Sequence, residues 1–283
     1  MTFLINSLRG GGAERNCVVL SNAFVDKGVS VEIVVLHLNN AVLHTELDSR
    51  IKLVNLNIRH ARFAVIKIYK YILKNKCRNI LVFNHQLAVL LSIIRSIGRH
   101  KFRITARNIS TLSQKKQNEK TIWHKYIVEY FTKTFYKKVD FIIAQSKGML
   151  LDLETNYKIP QNQMKVIYNP INPVIEHSYK QHKVLNRVCR KPYLLCVGRL
   201  EEVKSFDCAI KTFAKIASDY KDLKLKIVGD GSQKMFLKRL AQETGYADRI
   251  YFEGFQTDTT TYFLEAQATL LTSQYEGFPN VLL

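Results

Sequence analysis

The sequence predicts an α/β protein of two parallel-sheet domains, the first over residues 1–170 and the second over 192–283. Three observations lead there. Short apolar runs alternate with amphipathic stretches along the whole chain, the pattern of strands joined by right-handed helical crossovers. Several runs, such as Tyr193 to Val197 (YLLCV), are apolar throughout, as strands covered on both faces should be. Residues 171–191 are polar, contain Pro173 and lack periodicity, so they read as the linker between the two domains.

In the first domain, Thr2 to Asn6 reads as a strand, followed by three glycines, Gly10 to Gly12, and a helix that ends before Gly28. Glycines at a strand-to-helix turn let a ligand approach the backbone. The turn is neither a dinucleotide fingerprint nor a P-loop, because Arg15 stands where the last glycine should be and no GK[ST] follows. Strands are then expected over Ser30 to Leu38, Ile51 to Leu56, Asn79 to Phe83, Lys101 to Ala106, Asp140 to Ala144 and Lys165 to Tyr168. Between them fall helices over Arg59 to Lys76, Leu87 to Ile97, Lys120 to Lys138 and Ser146 to Asn156.

The second domain continues the alternation. Strands are expected over Tyr193 to Val197, Leu223 to Val228, Ile250 to Glu253 and Ala268 to Thr272. Helices are expected over Ser205 to Tyr220, Gln233 to Thr244 and Thr259 to Gln267, with one more beginning at Asn280 or Val281. The loop after Val197 carries Gly198, Arg199 and Lys204. It lies at the carboxyl end of a parallel strand and at the mouth of a helix, where open α/β sheets hold anionic ligands. Arg199 can clamp a phosphate through two parallel hydrogen bonds and Lys204 adds a point charge, while Gly198 lets the backbone come close. Two ordinary surface cations on a solvated loop would give the same local pattern.

Composition narrows the choices. The chain has 283 residues, 47% of them hydrophobic and 23% charged, with a formal net charge of +20. That is an ordinary globular composition with room for two cores. The charge is uneven: residues 1–175 hold 27 Lys and Arg against 10 Asp and Glu, whereas 176–283 hold 16 against 13. No acidic residue falls between Asp48 and Glu119, and basic residues there are interleaved with Phe63, Val65, Ile66, Ile68, Tyr69, Ile72 and Leu73. This suits a helix lying on an anionic membrane surface. Nucleic acid is the other polyanion such charge could meet, but no nucleic-acid-binding motif is present and none is expected as partner; a solvated basic face is the third reading. The longest uncharged stretch, Asn79 to Ile94, contains Asn84, His85 and Gln86 and is too short and polar to span a bilayer. Five cysteines without a CxxC pair fit reduced thiols in a cytosolic compartment. Eight histidines without HxxxH spacing argue against zinc, and no metal site is expected.

Seven short stretches occur in order: Gly10 to Arg15 (GGGAER), Ala106 to Asn108 (ARN), Ala144 to Ser146 (AQS), Val166 to Pro170 (VIYNP), Val197 to Leu200 with Lys204, Val228 to Gly231 (VGDG), and Tyr275 to Pro279 (YEGFP). Together they resemble the family 4 glycosyltransferases of the GT-B fold that build bacterial capsule, O-antigen and envelope glycans, and the likeness covers nearly the whole chain. The resemblance implies two Rossmann-like domains facing a cleft, with the second cut short. It implies that Arg199 and Lys204 hold the diphosphate of a nucleotide-sugar donor, a UDP-sugar, and that no further cofactor is needed. Gly11 and Gly12 would meet donor phosphate and acceptor. Gly198, Gly277 and Phe278 would add backbone groups to the anion site, and Glu276 would contact hydroxyls of the transferred sugar. His85 takes the place of a polar residue near the reacting sugar, with a structural role as the alternative, and Arg107 and Asn108 would meet the acceptor's phosphate.

The family lacks a bound metal, and the nearest acidic string, Asp152-Leu153-Glu154, lies inside a helix rather than in a DxD loop. The implied reaction retains configuration at the anomeric carbon and passes the sugar to a lipid-linked or growing glycan, with the protein peripheral on the cytoplasmic face of the plasma membrane. The family's second glutamate would fall at position 284 when counted from Glu276, so the second domain reads as incomplete. A truncated nucleotide-sugar- or membrane-binding remnant, a UDP-sugar epimerase and a basic nucleic-acid binder remain as alternatives.

Overall fold

In the computed structural model, residues 1–58, 64–98, 100–117, 124–171 and 190–282 are described. The chain divides into two compact units, one of Met1–Pro170 with Gly277–Asn280, the other of Ile171–Glu276 with Val281–Leu283. Residues 172–189, most of the expected linker, lie outside the described residues, as do Arg59, Arg62 and Phe63 of the expected basic helix.

The first unit is built on seven parallel strands: β1 (Thr2–Ile5), β2 (Glu32–Val35), β3 (Lys52–Asn55), β4 (Asn79–Val82), β5 (Arg103–Arg107), β6 (Phe141–Ala144) and β7 (Met164–Val166). Their order is β3-β2-β1-β4-β5-β6-β7. Alternation along each strand explains the layering. Phe3, Ile5, Ile33, Val35, Leu81 and Phe83 face one way and pack with Cys17, Val18 and Val25 of helix α1 (Gly12–Asp26). Leu4, Val34, Ile80 and Val82 face the other way, into a core shared with α2 (Ala64–Lys74) and α3 (His85–Ile97). Asn84 starts α3 as an N-cap, its side chain accepting from the Gln86 N–H at 2.8 Å.

Further along come α4 (Leu112–Gln117), α5 (Glu129–Phe135) and α6 (Lys147–Tyr157). The sequence predicts one long helix over 120–138; residues 118–123 lie outside the described residues, and the rest is a π-helical turn at His124–Val128, the short α5, and a 3-10 turn at Tyr136–Lys138. Thr132 contributes to that irregularity, because its hydroxyl donates to the Val128 carbonyl at 2.8 Å, the back-bonding that bends helices. Ser146 caps α6 by accepting from the Met149 N–H at 3.2 Å.

The second unit has four parallel strands, β8 (Lys191–Val197), β9 (Lys224–Val228), β10 (Ile250–Gly254) and β11 (Ala266–Thr269), in the order β10-β9-β8-β11. Helices α7 (Phe206–Ile216) and α8 (Lys234–Glu243) cover one face, burying Ala209, Ile210, Phe213, Leu237 and Ala241 against Cys196, Leu225 and Ile227. Helix α9 (Thr260–Glu265) supplies Tyr262 and Phe263 to the other face. Strand β11 begins at Ala266 rather than at the expected Ala268, because α9 stops at Glu265.

Each unit thus reverses its strand order at one place, between β1 and β4 in the first and between β8 and β11 in the second. Ligands of open parallel sheets bind outside the carboxyl ends of strands at such a reversal. Phe3 holds β1 at the first: it is fully buried, with Phe24 at 5.7 Å edge-on and Phe83 at 5.4 Å between ring centroids. Phe3→Ala is expected to destabilise the first unit by about 3–5 kcal/mol, read as a lower urea midpoint at unchanged slope.

Candidate active site

In the second unit the loops after β8 and β9 interlock through their backbones. A Cβ added at Gly229, where φ is +144°, would lie 1.9 Å from the Gly198 carbonyl oxygen, and one at Gly231 would lie 2.6 Å from that of Leu200. Any side chain at either position would force the loops apart. The approach is fixed by hydrogen bonds: the Gly198 N–H donates to Val228 at 3.0 Å, the Leu200 N–H to Asp230 at 3.0 Å and the Gln233 N–H to Leu200 at 2.8 Å. Arg199 sits on the outer turn of this nest, exposed, its guanidinium without a hydrogen-bond or ion-pair partner among the described residues.

Lys204 closes a 3-10 turn at Glu202–Lys204, and its aliphatic stem lies over Gly198, with Cε 3.6 Å from where a Cβ would stand. Ser205 follows at φ 46° and ψ 45°, a left-handed conformation that costs on the order of 1 kcal/mol for a residue other than glycine. It caps α7 without a side-chain hydrogen bond to the helix.

The loop after β11 lies beside this turn. The Thr272 hydroxyl donates to the Lys204 carbonyl at 2.8 Å, and the Gln274 N–H donates to that of Val203 at 2.9 Å. Glu276 is brought onto Lys204: Nζ meets Oε1 at 2.5 Å, and the Ser273 hydroxyl donates to the same oxygen at 2.7 Å. The sequence reading gives Lys204 to the diphosphate and Glu276 to the sugar as separate contacts. In the structure the two form an ion pair, because the strand reversal places the β8 and β11 loops side by side.

In the first unit Gly11 is the N-cap of α1. Glu14, three residues on, folds back over it, with Oε2 only 2.2 Å from where a Gly11 Cβ would stand, and Ser7 donates to Oε1 at 3.5 Å. A carboxylate thus lies at the helix terminus where the sequence reading expects a phosphate. Gly12 is exposed, and its carbonyl accepts from the Asn280 amide at 3.0 Å. Gly277 packs so tightly that an added Cβ would lie 2.8 Å from the Met149 sulfur, and Phe278 lies 5.4 Å from Tyr168 between ring centroids.

His85 is the first residue of α3, at the end of β4, only 6% exposed, with its ring edge-on to Tyr136 at 6.4 Å. Arg107 and Asn108 end β5 and are buried, at 2% and 0% exposure. The Arg107 guanidinium donates to Asn169 Oδ1 at 2.7 Å and to the Tyr168 carbonyl at 3.3 Å, while its Nε and the Asn108 Oδ1 are buried without hydrogen-bond partners among the described residues. Burial pushes the Arg107 pKa down to about 10, which leaves the group charged at neutral pH. It is a buried cation with no carboxylate paired to it among the described residues. Asn169 also donates to Gln145 Oε1 at 3.2 Å and to Phe278 O at 3.3 Å.

Four residues at these loops, Glu14, Asn169, Ser273 and Asn280, are absent from the sequence-based site. All four lie within or beside the quoted stretches, so the signal was their neighbourhood; the Ser273 and Asn280 contacts depend on tertiary structure. Among the described residues no three His, Cys, Asp or Glu side chains cluster as a metal site would need, and no helix is long and apolar enough to cross a membrane.

The two strand orders and their loops are those of a GT-B glycosyltransferase. The structure of WaaG, a glycosyltransferase involved in lipopolysaccharide biosynthesis, aligns with a TM-score of 0.72 and 14% identity over 99% of this chain and 77% of that one. HepE from Anabaena, solved in complex with UDP-glucose, aligns with a TM-score of 0.71 and 18% identity over 96% and 73%. Residues 10–174 match the family described as Glycosyltransferase Family 4, and 178–283 match Glycosyl transferases group 1. The chain belongs to glycosyltransferase family 4. Among named relatives is the N-acetylgalactosamine-N,N'-diacetylbacillosaminyl-diphospho-undecaprenol 4-alpha-N-acetylgalactosaminyltransferase of Campylobacter jejuni, 26% identical over 291 residues, 99% of this chain and 76% of that one.

A buried cation compensated by neutral acceptors opposes folding. Arg107→Met is expected to leave the thermal midpoint unchanged or raised while sugar transfer falls. A loss of more than about 3 kcal/mol in stability would make Arg107 a structural strut instead.

Proposed function

We propose that this glycosyltransferase moves a sugar from UDP to a lipid-linked or growing envelope glycan, with retention of anomeric configuration and without a bound metal, at an anionic membrane surface on the cytoplasmic side. The observation that carries the reading is the exposed Arg199 beside Lys204 on the loop at the β8–β11 strand reversal. A guanidinium and an ammonium in that position match a diphosphate in charge and geometry. The UDP-glucose complex of HepE and the diphospho-undecaprenol acceptor in the Campylobacter relative's name support the choice of donor and acceptor classes.

In this mechanism the bond between the anomeric carbon and the diphosphate oxygen breaks, and its electron pair stays on the diphosphate. Arg199 and Lys204 stabilise that developing charge, the role a divalent cation would otherwise fill. The acceptor hydroxyl bonds to the anomeric carbon from the same face and gives its proton to the departing phosphate oxygen. Backbone groups of Gly198 add to the anion site, and Glu276 meets hydroxyls of the transferred sugar. Gly11 and Gly12 line the acceptor side. His85, buried against Tyr136, is the polar residue near the reacting sugar, and Arg107 with Asn108 meets the acceptor's phosphate.

The membrane part rests on charge and exposure in the first unit. Helix α2 buries Ala64, Ile68 and Ile72 and exposes Ile66 and Leu73 beside Lys70 and Lys74, while Lys67 is held by the Leu56 and Asn57 carbonyls at 3.0 Å each. Tyr126, Tyr130 and Phe131 are exposed beside Lys133, Lys137 and Lys138. Apolar residues ringed by cations suit an interface with anionic headgroups.

Arg199→Ala is expected to weaken UDP binding more than about tenfold by calorimetry, the loss of one charge-assisted clamp. Unchanged affinity would count decisively against the donor site. The protein should sediment with phosphatidylglycerol vesicles at low salt and stay in solution with them at high salt, and Lys70→Gln with Lys74→Gln should weaken the low-salt binding. Equal sedimentation with neutral vesicles would remove the electrostatic part.

A further inference from the structure

All strands of the first unit run parallel, so their amino ends share one edge of the sheet, opposite the edge where such sheets hold substrates. Two neighbouring strands begin there with the same pattern: Lys76-Cys77-Arg78 leads into β4, and Lys101-Phe102-Arg103 opens β5. Alternation along the strand sends each middle residue inward and the cations outward. Cys77 and Phe102 are 4% and 5% exposed, while the four basic residues are all exposed. Among the described residues none of these four side chains has a hydrogen-bond or ion-pair partner. Lys137 and Lys138 carry the row on toward the start of β6.

The row is braced from behind. The Arg103 N–H donates to the Arg78 carbonyl at 2.7 Å, and His100 Nε2 lies 3.0 Å from the carbonyl oxygen of Cys77. The Arg95 guanidinium donates to the Phe102 carbonyl at 3.0 Å, to the Lys138 carbonyl and to the Asp140 carboxylate. One cation and one acid thus neutralise each other while tying the leads into β5 and β6 together. Glu32, which opens β2 on the same edge, accepts from the Thr2 and Tyr71 hydroxyls at 2.7 and 2.8 Å and is not paired with the row.

The spacing of the row is that of a sheet. Neighbouring strands stand about 4.8 Å apart, and the two cations of each triplet are separated by two residues of rise, roughly 6.7 Å. Alternate side chains of any other extended chain repeat at that same distance. Ile97, 80% exposed and four residues before Lys101, places an apolar side chain beside the charges. An apolar anchor with a charged rim is how protein interfaces are built.

We infer that the amino edge of the first sheet is a docking surface for an extended acidic segment of a partner protein, with carboxylates on alternate residues. Lys76, Arg78, Lys101 and Arg103 meet the carboxylates, and Ile97 meets an apolar residue of the same segment. A bilayer fits the triplets less well, because their middle residues are buried and offer nothing to insert. Bases fit less well too, since Phe102 is covered and cannot serve as a stacking platform. Docking at this edge leaves the carboxyl ends of the strands open, so partner and substrates bind at the same time.

The test is fluorescence anisotropy with a labelled, acetylated peptide carrying glutamate at alternate positions and one leucine, against a peptide of the same composition whose glutamates are contiguous. The alternating peptide is expected to bind at low salt at least about fivefold more tightly than the contiguous one, and to weaken at high salt. Arg78→Gln with Arg103→Gln should weaken it more than about tenfold, and Ile97→Ser about threefold. The thermal midpoint of the double variant should stay unchanged or rise, since like charges are being removed. Lys70→Gln with Lys74→Gln is the opposite control, keeping the peptide and reducing sedimentation with phosphatidylglycerol vesicles more than the Arg78 and Arg103 pair does. Undetectable peptide binding by the wild type, equal affinity for the two peptides, or unchanged affinity in the Arg78 and Arg103 variant would each overturn the docking surface. So would a single-stranded oligonucleotide or the vesicles losing more affinity than the peptide in that variant, which would make the row a general polyanion site.

Discussion

The second unit depends on two peptide chains passing closer than any side chain permits. The Gly198 carbonyl oxygen lies 1.9 Å from the point where a side chain at 229 would begin, and the Leu200 backbone crowds 231 in the same way. Because β8 and β9 are neighbours in register up to Val197 and Val228, their loops leave the sheet together and must share the same space. Glycine at both positions resolves the conflict, and the reward is rigidity: the turn carrying Arg199 is braced by backbone hydrogen bonds instead of by side chains that a ligand would have to move. Preorganisation of that kind is what lets a cation stabilise charge without first being ordered.

Positive charge is handled in three distinct ways along the chain. On the surface of the first unit it is solvated and spread over α2 and the α5 region, where it acts through the field of many residues. At the β8 loop it is local, with Arg199 open and Lys204 held by a carboxylate. At the end of β5 it is buried, Arg107 being compensated among the described residues by an amide oxygen and a carbonyl. The formal excess of +20 therefore says little by itself about which cations meet a ligand.

Much of the α/β class was legible because the signal is local. Alternating apolar runs and helical stretches mark parallel crossovers wherever they occur, and Gly198, Gly229 and Gly231 stand at turns whose geometry demands them. Helix extent was less legible: around Thr132 a hydroxyl competes with the backbone, and an aromatic-rich stretch that reads as one helix breaks into a π turn, a short α-helix and a 3-10 turn. The site was legible as residues but not as contacts. Lys204 and Glu276 are 72 positions apart, and only the strand order, with β11 beside β8, brings them together. The burial of Arg107 was equally hidden, since a basic residue ending a strand looks the same in sequence whether it points to water or is covered.

Asn169 lies at the end of β7, and Arg107 settles which way its amide faces. With the oxygen turned to the guanidinium, the amide nitrogen is directed at Gln145 and at the backbone of Phe278. An aspartate of nearly the same shape would have closed onto the guanidinium as a neutral couple and cancelled its field. A carboxamide anchors the cation while leaving its charge unspent, so the difference of one nitrogen for one oxygen decides whether the end of β5 carries a net positive charge or none.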